Sequence, residues 1–466
     1  MTSLWLEHAK PITSDPLPET PVDDVVVGAG ITGLVTALLL ARAGRRVAVV
    51  EAREVGAVAT GNTTAKISLL QGTKYSRLLH YQSKAVAAAY LDANREGMEW
   101  LLRFCEDHGV AVQRREAATF ALDESEVSSV RDEHDAASAV GLDVVWQDSL
   151  DVPFPVHGAT VLRDQAQFDP MDALAALVEQ LRRHGGTLHQ GHRVRTVSLV
   201  GAPEVRLDGG QSVRAEQVVL ATGSPILDRG LYFSKVEPMR SYALSFDSAL
   251  APEGMYLSAG SDSRSVRDLP TPGGASRLLV GGAGHSVGRT KSEAAHVDRL
   301  REWTATYFPD AVETHQWSAQ DYRSHDSVPY VGKLPRGFGR IYLATGFDKW
   351  GMTNGVAAAR AISGQILGEQ PGWAKKMGTR ITGPTAAAHL AAINIKVGLG
   401  AAGGAAERLR RRGDHDVVPV CTHLGGLLHW NDCEESWDCP LHGSRFDSDG
   451  TVLEGPATRP LRKKKS

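Results

Sequence analysis

Asp24-Val25-Val26-Val27-Gly28-Ala29-Gly30-Ile31-Thr32-Gly33 decides how this chain is read. Three valines after Asp24 have the continuous apolar character of a strand buried on both faces, and residues 34–43 follow as an apolar helix that Gly44 ends. Arg46-Val47-Ala48-Val49-Val50-Glu51 returns as a second buried strand with an acid at its tip, which predicts a right-handed βαβ crossover. In Gly28-x-Gly30-x-x-Gly33 the first glycine permits the tight turn, the second lets the backbone approach a pyrophosphate, and the third lets helix and strand pack closely. Phosphate then meets the positive end of the helix. Glu51 stands at the spacing of a residue that hydrogen-bonds a ribose hydroxyl, and its charge disfavours a 2′-phosphate.

Outward from this unit, 466 residues exceed what one core organises, so two or three domains are expected. Hydrophobic residues at 42% and charged residues at 23% are ordinary for globular chains and exclude the disordered and membrane classes. A formal charge of -3 gives no general attraction to nucleic acid or to an anionic membrane, and Arg462-Lys463-Lys464-Lys465 reads as a solvated tail. The first twenty residues mix charges with Pro11, Pro16 and Pro18, unlike a secretory signal, and a cytoplasmic location is expected. Of the four cysteines, Cys421, Cys433 and Cys439 crowd into the carboxyl end, which points to local chemistry there; Cys105 reads as core.

Helical spacing predicts one long helix over residues 82–108 and another over 171–183. Residues 111–165 mix short strands with a polar helix, and Asp208-Gly209-Gly210 turns a small hairpin among strands at 194–200, 204–207 and 217–220. Strands at 241–246 and 277–281 and a helix at 293–307 mark a block of different character. The domains expected are a discontinuous nucleotide domain over 22–230 and 325–372, and a substrate domain over 231–324 with part of it in 111–165. A linker with helices over 373–413, ending in Arg408 to Arg412, leads to a small module over 414–466.

Val218-Val219-Leu220-Ala221-Thr222-Gly223 and Ile341-Tyr342-Leu343-Ala344-Thr345-Gly346-Phe347 each read as a strand running into Ala-Thr-Gly. With the first βαβ unit, this arrangement over residues 22–370 resembles the D-amino-acid oxidase superfamily, which includes glycine and sarcosine oxidases. The resemblance implies an α/β fold: a Rossmann-like FAD-binding domain with an inserted α+β substrate domain. It implies FAD contacts at Gly28, Gly30, Thr32, Gly33 and Glu51, at Thr222 and Gly223, and at Gly346. Trp350-Gly351-Met352-Thr353-Asn354-Gly355 sits where relatives place a helix start facing the flavin ring, which adds Trp350, Gly351, Met352 and Thr353. Gly61-Asn62-Thr63-Thr64-Ala65-Lys66 corresponds to a flavin-contacting loop and adds Thr63 and Thr64. Relatives often carry a covalently bonding histidine or cysteine in that loop; none is here, so FAD is expected to be noncovalent. Asp326-Ser327-Val328-Pro329-Tyr330-Val331-Gly332 also resembles a superfamily signature, as a structural turn or as a catalytic contact.

The implied substrate is a small amine or amino acid. Hydride removal from an amine demands no dedicated acid or base. Arg240, Tyr242 and His285 are candidates for binding a carboxylate or polar group, and each reads equally as a core or surface residue.

At the carboxyl end, Cys421-Thr422-His423 and Cys439-Pro440-Leu441-His442 give a C-x-H pair and a C-x-x-H pair, separated by fifteen residues. Two thiols and two imidazoles suit a tetrahedral zinc ion. With Asp447-Ser448-Asp449-Gly450 and Gly455-Pro456-Ala457 behind them, they also resemble the Rieske module, whose cysteines hold one iron and histidines the other of a [2Fe-2S] cluster. Gly426 and Leu441 stand where respiratory modules carry a disulfide, and Phe446 where a tyrosine is common, which implies a potential in the lower Rieske range. Only residues 413–420 precede the first ligand, so this all-β module reads as truncated. The two resemblances together imply a dehydrogenase passing electrons between FAD and the cluster, with an external donor or acceptor that can be a redox protein. An oxygen-using oxidase with a vestigial module and a non-catalytic redox sensor remain open.

Overall fold

A computed structural model describes residues 1–198, 201–270, 276–380, 382–395 and 416–464. The arginine run at 408–412, the start of the carboxyl module at 414–415 and Lys465 lie outside the described residues.

The described residues build three sheets. The first is the nucleotide-type sheet, in the order Tyr330–Lys333, Ile341–Thr345, Ser212–Leu220, Val22–Val27, Val47–Val50, Thr187–His189. Val22–Val27 pairs in parallel with Val47–Val50 on one side and Ser212–Leu220 on the other, and Val25, Val26 and Val49 are fully buried. This is the both-faces-covered environment that an unbroken valine run requires. Ser212–Leu220 starts five residues earlier than the sequence suggests, because its first half pairs antiparallel with Glu204–Leu207 before its second half enters the parallel sheet. Helices Ile31–Arg42, Lys84–Asp107, Pro170–Arg183 and Gly351–Leu367 pack against one another around this sheet.

The second sheet has nine strands, in the order Val312–Ser324, Val236–Asp247, Ser276–Ser286, Arg264–Pro270, Met255–Ser258, Val112–Phe120, Ala159–Phe168, Lys66–Ile67, with Val145–Gln147 beside Ala159–Phe168. It therefore draws on five separate stretches of chain. The helix Ala294–Tyr307 packs on it, with Val297 and Leu300 buried.

The third sheet is the carboxyl module: His429–Asn431, Ser436–Asp438, Arg445–Phe446 and Val452–Glu454, all antiparallel. Its core holds Val417, Trp437, Phe446, Val452 and Leu461. Small as it is, the module sits against both larger bodies.

The amino-terminal lead contributes a helix, Leu4–His8, capped by Ser3. Five residues make no stable helix alone. Burial supports this one: Trp5 is 2% exposed and its indole donates to the Thr63 carbonyl at 2.7 Å. Among the described residues no helix is long and apolar enough to cross a membrane.

Candidate functional site

A cavity of about 320 Å³ lies where the three sheets meet. Gly28, Gly30, Thr32 and Glu51 form its nucleotide-domain wall. Gly28 has φ +107°, and a side chain there would place Cβ 2.5 Å from the Ala221 carbonyl oxygen. Gly33 is not part of the wall; it lies behind, where a Cβ would overlap the carbonyl of Gly28, so its lack of a side chain lets the helix start close to the turn. The Glu51 carboxylate accepts from the Ala29 amide at 2.8 Å and the Arg53 amide at 2.9 Å, which fixes it at the rim of the glycine turn. Thr63, Thr64, Thr222, Gly223 and Gly346 also line the cavity.

The helix Gly351–Leu367 begins within the 350–355 segment expected to hold a helix start, making Trp350 its N-cap, with no side-chain cap among the described residues. Trp350, Gly351 and Met352 line the cavity, so the positive helix end faces it. Thr353 turns the other way: its hydroxyl donates to Asn94 Oδ1 at 2.6 Å within a buried polar cluster that includes Gln71, Tyr90 and Asn354. The glycine cradle, the anchored acid and the uncapped helix end together fit a dinucleotide bearing an anionic ring system.

The opposite wall comes from the nine-stranded sheet and brings groups that sequence reading did not single out. Lys66 lines the cavity and is buried, donating to Ser265 Oγ at 2.6 Å and the Tyr256 carbonyl at 3.1 Å; burial, with Arg267 nearby, pulls its ammonium down to about 7. Lys349, at the turn before the helix, has φ +72°, and its Nζ lies 3.1 Å from where a Gly284 Cβ would stand. Burial lowers the Lys349 pKa as well, with Arg323 adding to the effect. Asp321, in the same wall, accepts the Lys349 amide and is raised to about 6 by burial. A charged residue in a buried run was the available signal: Lys66 opens a strand of two buried residues, and Asp348-Lys349 interrupts an apolar strand-to-helix passage.

The three candidate polar residues separate. Tyr242 is in the wall, and its hydroxyl pairs with His285 Nε2 at 3.1 Å. His285 stands behind it, its Nδ1 on the Ser286 carbonyl, and burial pulls its pKa down to about 4, so the ring is a neutral acceptor for the tyrosine proton. Arg240 does not face the cavity. It is 1% exposed and reaches Glu434 at 2.9 Å and Glu454 at 3.4 Å, both in the carboxyl module, as well as Ser318 and Gln320. Within the module, Arg445 bonds Glu434, Asp438 and Glu454 at 3.0, 3.0 and 2.8 Å. The module alone would bury one cation among three anions, and Arg240 supplies the second cation from the body of the protein. The Asp326 to Gly332 segment lies outside the cavity wall, with Asp326 ion-paired to Arg380.

The two ligand loops of the module share one scaffold. The Cys421 amide donates to Gly426 O at 2.7 Å and Gly425 N to Cys421 O at 3.0 Å; likewise Cys439 N donates to Ser444 O at 2.8 Å and Gly443 N to Cys439 O at 3.0 Å. Each loop turns on a glycine four residues past its cysteine, with φ +75° at Gly425 and +79° at Gly443. The cysteine thiols adjoin each other, and the imidazole centroids of His423 and His442 are 5.2 Å apart. The Nδ1 atoms of both histidines are buried with no hydrogen-bond partner among the described residues. Two thiols paired at one end and two unpartnered nitrogens at the other match a two-iron cluster. The outer nitrogen of His423 meets Asp228 Oδ1 at 2.7 Å, and Phe233 packs edge-on against both rings.

The cluster loops also touch the cavity wall. Gln320, which lines the cavity, donates to the Gly443 carbonyl at 2.7 Å, and Tyr322 donates to the Gly455 carbonyl at 3.2 Å.

Comparison with known proteins agrees with both halves. The family model "FAD dependent oxidoreductase" matches residues 23–365, and "Rieske [2Fe-2S] domain" matches residues 414–465. The chain is 29% identical over 476 aligned positions to "Putative Rieske 2Fe-2S iron-sulfur protein YhfW" of Bacillus subtilis (strain 168), covering 95% of this chain and 93% of that protein. Its fold is similar to glycine oxidase from Geobacillus kaustophilus (TM-score 0.65, 19% identity, 78% of this chain and 100% of that one). It is also similar to L-proline dehydrogenase from P.horikoshii (TM-score 0.63, 18% identity, 77% and 96%).

Proposed function

The chain belongs to the family of FAD dependent oxidoreductases and ends in a Rieske [2Fe-2S] domain, and from this we propose that it is a dehydrogenase that oxidises an amine or amino acid and passes electrons between FAD and the cluster. The shared wall carries the reading: Gln320 and Tyr322 line the cavity and bond directly to the loops that follow His442 and Glu454. Bound FAD supplies a two-electron acceptor and the cluster a one-electron relay.

Their placement in the cavity wall supports the following roles for the chain's own residues. Gly28, Gly30 and Thr32 cradle the pyrophosphate, and Glu51 takes a ribose hydroxyl. Thr63, Thr64, Thr222, Gly223 and Gly346 complete the wall, and FAD is held without a covalent bond. The uncapped amides at Gly351 and Met352 favour negative charge on the ring. Cys421 and Cys439 would hold one iron of the cluster and His423 and His442 the other.

Lys349 and Lys66 are the cations that a substrate carboxylate meets above the nine-stranded sheet, the structures of glycine oxidase and L-proline dehydrogenase being among the folds this one matches. Losing a hydrogen bond to a charged group costs about 1.5–3 kcal/mol, so Lys349→Met is expected to lower kcat/KM for amino acids roughly 10- to 150-fold, mainly through KM. Oxidation of an amine without a carboxylate should be nearly unchanged; steady-state kinetics on both substrates checks this.

A pH effect follows from Lys66. Below about 7 it is an ammonium and attracts a carboxylate; above, it is neutral. KM for an amino acid is expected to rise as pH passes upward through about 7, and Lys66→Met to flatten that rise in a pH series.

Anaerobic mixing with a panel of amines and amino acids, followed by visible absorption and EPR, tests the whole reading. Bleaching of the flavin with appearance of the reduced Rieske signal supports it. Hydrogen peroxide in proportion to substrate, with the cluster never reduced, would instead establish an oxidase. Failure of every substrate to bleach the flavin would favour the sensor. The external partner, donor or acceptor, exchanges electrons with the cluster one at a time.

A further inference from the structure

The carboxyl module does more than adjoin the cavity. Leu453, Glu454, Gly455 and Thr458, all from its closing hairpin, line the same cavity as Gly28, Glu51 and Thr222. The hairpin crosses from the nucleotide domain to the substrate sheet and is tied at both ends. On the nucleotide side, Arg193, itself in the wall, donates to Val452 O at 2.7 Å, and Thr458 Oγ1 donates to Arg195 O at 3.4 Å. On the other side stands the bond from Tyr322 to Gly455 O, and Tyr322 in turn lies 3.4 Å from where a Gly223 Cβ would be. Beneath the hairpin, Arg240 is buried among Glu434, Glu454 and Gln320.

We propose that this hairpin is a structural part of the FAD site: it closes the cavity beside Thr222 and Gly223, and FAD leaves only when the iron–sulfur module lifts off the body of the protein. The proposal rests on the reading that this cavity holds the FAD. Three physical points lead to it. The hairpin and the residues just after it put Leu453, Glu454, Gly455 and Thr458 into the cavity wall. The ties from Arg193 and Tyr322 are made to the hairpin's own backbone carbonyls, so they depend on where it sits and not on which side chains it carries. Docking buries Arg240 against Glu434 and Glu454, so the module's three buried carboxylates have two cations with the module in place and Arg445 alone without Arg240, and undocking breaks these buried bonds. Flavin retention and module docking are therefore one equilibrium, and FAD must load before the module closes over it.

A reversible cross-link tests this in the full-length holoprotein. A Gly455 Cβ would lie 3.5 Å from Ile226 Cγ2, with no closer atom, and Ile226 is on the nucleotide side of the cavity. In the double variant Ile226→Cys/Gly455→Cys the two Cβ atoms would stand about 4–5 Å apart, at the long end of disulfide geometry, so the bond forms with a small shift of the hairpin toward the nucleotide side. Release of FAD into excess apo-flavoprotein scavenger is followed by flavin fluorescence. The oxidised cross-link is expected to slow release at least about tenfold, equivalent to 1.4 kcal/mol of added barrier, and reduction to restore the uncross-linked rate. Arg240→Met, with iron per chain assayed alongside, is expected to accelerate release. Equal rates in the oxidised and reduced double variant overturn the proposal, whatever Arg240→Met does to folding. Protein that purifies with iron but without flavin would instead overturn the reading of the cavity, and the proposal with it.

Discussion

In Cys439→Ser the iron–sulfur site is expected to be empty while the flavin stays reducible by substrate. Cys439 is 1% exposed and adjoins the Cys421 thiol, so the serine hydroxyl would have to replace a soft thiolate in a buried site shaped for sulfur. Iron and sulfide assays should fall from about two irons per chain to near none, and the reduced Rieske EPR signal should vanish. A reductive titration gives the sharper number: uptake should fall from about three reducing equivalents per chain, two on flavin and one on the cluster, to about two. Retained uptake of three would mean that Cys439 is not a ligand.

Gly33→Ala is expected to yield protein almost free of flavin. Its methyl group would fall on the Gly28 carbonyl and 3.0 Å from that group's carbon, so either the helix Ile31–Arg42 or the glycine turn must move. Overpacking of this kind costs about 1–3 kcal/mol, and because the strain is relieved by opening the cradle it should appear chiefly as weakened FAD binding, up to roughly 100-fold. Gly44→Ala is the control. Gly44 has φ +81° but nothing within 4 Å of where a Cβ would stand, so it should lose some stability and no flavin; flavin content and affinity of the two variants, measured by fluorescence titration, separate the effects.

The parts of the molecule that the sequence disclosed are those whose signal is local. The βαβ unit is carried by twenty-odd consecutive residues, and its glycines report backbone needs that no distant contact can supply. The ligand loops are legible for the same reason: each is a closed turn set by a cysteine and the glycine four residues on. The nine-stranded sheet is different. Met255–Ser258 lies parallel to Val112–Phe120, more than a hundred residues away, and nothing in either stretch names the other. Lys66 and Lys349 acquire meaning only when that sheet is folded beneath them. Arg240 shows the limit most plainly: its partners Glu434 and Glu454 lie 194 and 214 positions later, so a residue that looked suited to a substrate carboxylate serves carboxylates of its own chain. The short scaffold before Cys421, which suggested an incomplete module, is offset by the same contacts.

On the proposed function, the contacts around Arg240 also bear on how charge would move in time. A redox carrier on a loose tether must diffuse between donor and acceptor, so its rate depends on a search through solvent. Here the loop after His442 is bonded directly to the cavity wall, Gln320 donating to the Gly443 carbonyl. On the proposed function, the spacing between flavin and cluster would then be set by packing, and exchange between them is expected to be indifferent to the viscosity of the medium.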